Sequence, residues 1–187
     1  MQTWDLGGFR DRSGKLSEVV PRLRQALKLG VGWATLSGPP GTGKTYLLAA
    51  MANEARGMNR AALYITMADL LADLRDTFHP NAPNPFSALF QEVMDAEVLC
   101  LDEIEKFRTT DWAEEQFFRL IEHRYREWNQ GLTVLATNRR IGLDKAILDE
   151  TRYPGYLESR IMDGRFLHLE EFWQVGDARP VLRRAQP

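Results

Sequence analysis

Cysteine, histidine, excess charge and long apolar runs are all scarce in this chain of 187 residues. A single cysteine, Cys100, excludes a disulfide framework and makes a reducing cytoplasm the simplest setting. His79, His123 and His168 are scattered without the spacing of metal ligands. No apolar segment follows Met1, and no run approaches the roughly 18 residues of a membrane span, so the reading is a soluble protein with no membrane partner. Lys and Arg number 24 against 26 Asp and Glu, a net charge of −2. Nothing draws the whole chain to nucleic acid, so DNA binding would need a local patch or a surface assembled in an oligomer. The basic clusters Arg10 with Arg12 and Lys15, Arg139-Arg140, and Arg183-Arg184 read as solvated surface, with phosphate contact as the alternative. Internal repeats and low-complexity segments are also missing.

At 44% hydrophobic residues, the chain can bury one core of ordinary size. Its organising stretch runs from Trp33 to Leu48. At its centre Gly38, Pro39, Pro40, Gly41, Thr42, Gly43, Lys44 and Thr45 fill every fixed position of G-x-x-x-x-G-K-[ST]. Gly41 and Gly43 let backbone N–H groups converge on one point, where the following helix adds the positive end of its dipole. Lys44 would reach the terminal phosphates of a nucleotide and Thr45 would offer its hydroxyl to Mg²⁺. Tyr46, next on that helix, belongs to the same expected nucleotide-binding set. A plain glycine turn does not explain an apolar strand before the loop and packing residues Leu47, Leu48, Ala50 and Met51 after it.

Residues 1–30 read as a lead-in followed by a short helix, with Pro21 at its first position and Gly30 past its end; residues 31–187 read as one domain. Buried strands are expected at Trp33–Leu36, Ala61–Thr66, Val98–Leu101, Leu132–Thr137 and Arg165–Leu169. Helices fall between them. One runs from the glycine loop to Gly57, one starts at Thr66 with Asp69, and His79 to Pro83 breaks the latter before another begins at Asn84-Pro85. The longest opens at Asp111 with Glu114 and carries Ala113, Phe117, Leu120, Ile121 and Trp128 toward Gly131. Strands alternating with helices predict a three-layer α/β fold with a mainly parallel five-stranded sheet.

Two strand ends carry chemistry. Asp102-Glu103 closes an apolar strand downstream of Lys44, where open α/β sheets place their ligands. Asp102 would hold Mg²⁺ through water, and Glu103 would orient or deprotonate an attacking water, which favours hydrolysis over a small-molecule kinase. Asn138 ends the next strand, so its amide would project beside the terminal phosphate; a simple turn residue is the alternative. Cys100, beside Asp102, reads as a buried packing residue.

Together, Gly38 to Thr45, Asp102-Glu103, Ala136-Thr137-Asn138 and Tyr156 to Ile161 resemble an AAA+ ATPase of the ASCE type. Asp111-Trp112, His123-Arg124-Tyr125, Thr137-Asn138-Arg139 and Gly176 to Arg179 are most similar to the DnaC/DnaI helicase loaders and the IstB-type transposition helpers. The resemblance covers about residues 30–180. It implies an ATP-hydrolysing, Mg²⁺-dependent nucleotide switch in DNA replication, with a replicative helicase or a transposase as protein partner and single- or double-stranded DNA bound through an oligomer. A nucleotide-gated binding module with little turnover is the reading from another class. The resemblance makes Asn138 the sensor-1 residue and Arg160 an arginine finger acting in trans on a neighbouring copy. A surface or helix-capping role is the alternative for Arg160. Arg179 matches a late arginine of the family or pairs with Glu170 or Glu171, and Arg124 is expected in helix-surface ion pairs. The helical lid of most AAA+ proteins is expected to be missing, because only residues 170–187 follow the last strand, as in the loader and IstB groups. Loaders also carry a helicase-binding domain ahead of the ATPase, and only residues 1–37 precede Gly38 here, so either such a domain has been removed or the partner binds elsewhere.

Overall fold

The computed structural model describes residues 4–9, 14, 16–79 and 85–177. Its apolar runs form β1 (Gly32–Ser37), β2 (Ala62–Thr66), β3 (Val98–Asp102), β4 (Leu132–Thr137) and β5 (Leu167–Leu169). Between them lie α1 (Val19–Leu29), α2 (Lys44–Gly57), α3 (Met67–Asp76), α4 (Phe86–Asp95), α5 (Asp111–Arg126) and α6 (Tyr156–Ile161), and a 3-10 helix, Glu171–Gln174, follows β5. The strand order is β2-β3-β4-β1-β5 with every pairing parallel, as the alternation of strands and helices predicts.

The central strands are buried on both faces, which is why they read as unbroken apolar runs. Trp33, Leu99, Leu101 and Leu135 face one core with α3, α4, α5 and α6. Ala34, Leu36, Val98, Cys100, Val134 and Ala136 face the other with α1 and α2. Burial pushes the Cys100 thiol up to about 12, so it is a packing residue. The lead-in shares this second core: Leu6 and Leu16 are buried in it, and the Leu6 N–H donates to Glu54 Oε1 on α2 at 2.8 Å. Pairing of Ser37 with Thr137 and of Leu101 with Leu135 ends β1, β3 and β4 at one edge. The glycine loop, Glu103 and Asn138 all leave the sheet there.

Boundaries differ from expectation for local reasons. α1 starts at Val19, ahead of Pro21, since proline lacks only an N–H that the first turn does not use. The cap of α5 is Thr110, whose hydroxyl accepts from the Ala113 N–H at 3.3 Å. That helix ends at Arg126, so Trp128 lies beyond it, with its carbonyl accepting from the Gly32 N–H at 2.8 Å. β5 excludes Arg165, whose guanidinium is held by Asp163. Asn84 and the helix-breaking residues 80–83 lie outside the described residues, as does Arg179. Among the described residues no helical lid follows β5, and no helix is long and apolar enough to cross a membrane.

Arg124 departs most from expectation. Instead of surface ion pairs it is buried at 5% exposure. Its Nε donates to Thr133 Oγ1 at 2.8 Å, Nη1 to the carbonyls of Met94 and Ala96 at 2.9 and 2.7 Å, and Nη2 to that of Leu132 at 3.0 Å. The planar fork satisfies carbonyls that α4 and the start of β4 leave open, and burial pulls its pKa down to about 10. A Cβ on Gly131 would sit 3.1 Å from Nη2, so glycine there makes room for it. Arg124→Met should cost about 3 kcal/mol, because buried acceptors lose their donors. Urea unfolding checks this, and a variant within about 0.5 kcal/mol of the parent would contradict the structural role.

Candidate functional site

The loop after β1 is shaped by contacts that only glycine tolerates. Gly41 and Gly43 adopt φ of 82° and 98°, in the left-handed region that disfavours side chains. A Cβ on Gly43 would lie 2.7 Å from the Phe9 ring, and one on Gly38 would lie 2.2 Å from the Phe172 Cβ. Thr42 is buried and its hydroxyl donates to the Pro39 carbonyl at 2.9 Å, tying the loop to itself, while Pro40 is exposed. Gly43 caps α2 without a side-chain partner and the first turn of α2 carries no acidic residue, so its free N–H groups form a positive end.

Lys44 is 6% exposed. Its ammonium donates to the carbonyls of Gly38 at 2.6 Å and Pro39 at 2.8 Å, and to Asn138 Oδ1 at 3.0 Å. Three donors therefore meet three oxygens. Burial pulls its pKa down to about 8, opposed by the nearby charges of Asp102 and Glu105.

Asp102 is also buried, with Oδ1 accepting from the Glu103 N–H at 2.8 Å and Oδ2 from the Tyr64 hydroxyl at 3.1 Å. Burial, with Asp102 alongside, pushes the Tyr64 hydroxyl far above its ordinary value, so it remains a donor. Glu103 sits at φ 50°, an unusual conformation for a residue with a side chain. This sharp turn lets the Ile104 N–H reach the Ala136 carbonyl at 3.1 Å and buries Ile104. Glu103 is turned outward, where Lys106 Nζ donates to its Oε1 at 2.5 Å. Glu105, two residues on, accepts from both the Asn138 N–H at 3.2 Å and the Asn138 Nδ2 at 2.7 Å.

Lys44 and Asn138 are thus in direct contact, with Asp102, Glu103 and Glu105 close enough for their charges to act on the ammonium. Thr45 is exposed on the first turn of α2. Tyr46 turns away toward the lead-in: its ring packs against Trp4 and Phe9 at 5.4 and 5.8 Å, and its hydroxyl donates to the Asp5 carbonyl at 2.9 Å. Arg160 is held on the flank of α5 and α6. Its guanidinium lies 3.9 Å from the centre of the Tyr156 ring, 3.4 Å from Glu122 Oε2 and 3.0 Å from the Ser159 hydroxyl, and its Nε is buried without a partner. The Tyr156 hydroxyl also bonds Glu122 and, ahead of the neighbouring arginines, holds that carboxyl below its usual range. Arg139 donates to the carbonyls of Lys145 and Ala146, and Arg140 stacks on Trp173 at 4.5 Å.

Sequence reasoning passed over Glu105, Tyr64, Phe9 and the pair Phe172-Trp173. Trp173 Nε1 donates to the Ser37 hydroxyl at 2.9 Å, which itself donates to the Arg139 carbonyl at 2.7 Å, so the 3-10 helix braces the foot of the loop. Nothing local marks Glu105, because its partner Asn138 lies on another strand end. Glycine conformations, an exposed helix N-terminus and a buried lysine suit a polyphosphate. A hydroxyl at Thr45 and a buried carboxylate at Asp102 suit Mg²⁺, which takes few protein ligands and completes its shell with phosphate oxygens and water. Among the described residues no group of three or more His, Cys, Asp or Glu side chains could hold a metal ion.

The family described as "ATPase family associated with various cellular activities (AAA)" matches residues 34–160. The replicative helicase loader DnaC of Escherichia coli strain K12 is 38% identical over 68 residues, which make up 36% of this chain and 27% of that protein. The aligned stretch thus spans about a quarter of that relative's length. Among solved structures, the DnaC helicase loader superposes with a TM-score of 0.69 at 20% identity, covering 89% of this chain and 97% of that one. AMPPCP-bound DnaA from Aquifex aeolicus gives 0.72 at 22% identity, covering 90% and 50%. The family match takes in more than half of the chain, from β1 to α6, and the fold is that of DnaC and DnaA; this chain belongs to the AAA family of ATPases and within it resembles the DnaC/DnaI helicase loaders.

Proposed function

We propose that this chain binds and hydrolyses ATP and uses the nucleotide as a switch in DNA replication, acting on a replicative helicase as a loader does. The observation that carries this reading is the buried Lys44 ammonium at the common edge of β1, β3 and β4, shared between loop carbonyls and Asn138. Phosphate oxygens are stronger acceptors for an ammonium than carbonyls are, so nucleotide binding transfers Lys44 from Gly38 and Pro39 to the terminal phosphates. The backbone of Gly38 to Thr45 cradles the polyphosphate. Thr45 and Asp102 would hold Mg²⁺, which when bound neutralises phosphate charge. Glu103, released from Lys106, orients and deprotonates the attacking water, and Asn138 contacts the terminal phosphate beside Lys44.

Residues 31–187 form the ATPase domain in this reading, with residues 4–9 and α1 bracing α2. Similarity to DnaC supports helicase loading, and DNA would be met by an oligomer because the net charge is −2. Arg160 would act in trans once a neighbouring copy draws its guanidinium off Glu122. A nucleotide-gated module with little turnover is the second reading, favoured by Glu103 and Arg160 both being tied to side chains of their own chain.

Lys44→Ala should abolish tight ATP binding by calorimetry, whereas Glu103→Gln should bind as the parent does and hydrolyse about 10²-fold more slowly, the contribution of a positioned base. Undiminished binding by the first variant would sink the site. A parent that turns over no faster than Glu103→Gln, even with DNA and helicase present, would favour the second reading.

Arg160→Ala should bind ATP normally and lose on the order of 10³-fold in hydrolysis, since an arginine finger stabilises charge that develops in the transition state. Mixing it with Glu103→Gln should restore turnover, because mixed assemblies contain interfaces where an intact Glu103 meets an intact Arg160. No rescue, with a lowered Tm for Arg160→Ala alone, would assign the arginine to the fold of α5 and α6.

A further inference from the structure

Glu105 has no role in the chemistry above, yet its carboxylate is spent on a single neighbour. Its Oε1 takes both the backbone N–H and the side-chain Nδ2 of Asn138, while its Oε2 is buried and accepts no hydrogen bond among the described residues. A buried carboxylate oxygen left without a hydrogen bond is costly, which makes the two bonds gathered on the other oxygen a feature to explain. The two ends of the Asn138 amide differ. The Nδ2 end can face a carboxylate and the Oδ1 end an ammonium, and rotating the amide by half a turn would set donor against donor at Lys44 and acceptor against acceptor at Glu105.

We propose that Glu105 is the positioning residue of the site: by gripping Asn138 at two N–H groups it fixes which end of the amide faces Lys44 and the terminal phosphate. The grip fixes the backbone as well as the side chain. Asn138 is the first residue beyond β4, where no ladder partner continues, and the Glu105 carboxylate supplies the acceptor that the sheet no longer offers. The orientation is therefore set before nucleotide arrives. When phosphate takes over Lys44, Asn138 keeps its place because Glu105, not the lysine, anchors it. Glu105 itself needs to touch neither phosphate nor water.

This inference rests on the ATPase reading, and its test separates the two. In the nucleotide-free protein, the Asn138 side-chain amide observed by ¹⁵N NMR should show a downfield, exchange-protected N–H. That signal should be lost in Glu105→Ala and retained in Glu105→Gln, whose amide oxygen can still accept from both donors. With ATP, Glu105→Ala should keep KM within about 3-fold of the parent and lose about 10- to 100-fold in kcat, as misplacement of a contact group does. Glu105→Gln should recover most of that loss. Glu105→Ala with Asn138→Ala should be no slower than Asn138→Ala alone, because both changes remove one unit. An unshifted amide, losses that multiply, or a glutamine variant as impaired as the alanine one would each overturn the positioning role. A parent that shows the protected amide but neither binds nor hydrolyses ATP would leave the grip standing and refute the ATPase reading.

Discussion

The structure depends on a lysine ammonium that has been taken out of water. Lys44 begins α2 on the buried side of the glycine loop, and a buried cation needs partners at every donor. It finds two on its own loop and one on the far strand end, and each sets a condition on the rest of the molecule. The loop carbonyls of Gly38 and Pro39 can converge only if the chain turns through left-handed glycines. The Asn138 oxygen can be there only if β4 runs parallel to β1 in the register that aligns Ser37 with Thr137. Both strands lie buried between the two helical layers.

Around that contact the chain adds braces from distant positions. Phe9, from the lead-in, lies over Gly43, and Phe172 and Trp173, from the end of the described chain, lie under Gly38 and Ser37. The loop is thus held from both ends of the sequence, and the expected lead-in is part of the site's support. On the neighbouring turn, strain at Glu103 is offset by the Ile104 bond to β4 and the burial of Ile104, with Glu103 turned outward and Glu105 turned in toward Asn138. One glutamate is paired with Lys106 at the surface and the other is committed to Asn138.

The parts legible in the sequence are those with a local physical signature. Unbroken apolar runs betray the central parallel strands, and the run Leu132–Thr137 is β4 itself; Thr66 with Asp69 marks the start of α3, where the Thr66 hydroxyl accepts from the Asp69 N–H. Fixed spacing from Gly38 to Thr45 marked the loop because every position has a backbone reason. The remainder depends on long-range contact. Arg124 looks like a surface residue because arginine is seldom buried; its spacing from Leu120 and Ile121 does put it on the inward face of α5, but the carbonyls of Met94, Ala96 and Leu132 that pair it come from other elements. Glu105 sits in a charged run that resembles an ordinary turn, and its partner lies on another strand. The clamp of Arg160 by Glu122 and Tyr156 joins two helices that only the fold brings together.

In the proposed mechanism Lys44 is held by loop carbonyls until phosphate replaces them, while Asn138 stays fixed by Glu105. A crystal structure with Mg²⁺ and a non-hydrolysable ATP analogue tests it most directly. Lys44 Nζ should lie on the terminal phosphates, withdrawn from the carbonyls of Gly38 and Pro39, with both Asn138 N–H bonds to Glu105 intact. An analogue seated elsewhere, or a lysine still bonded to Gly38 and Pro39 beside a bound polyphosphate, would contradict it.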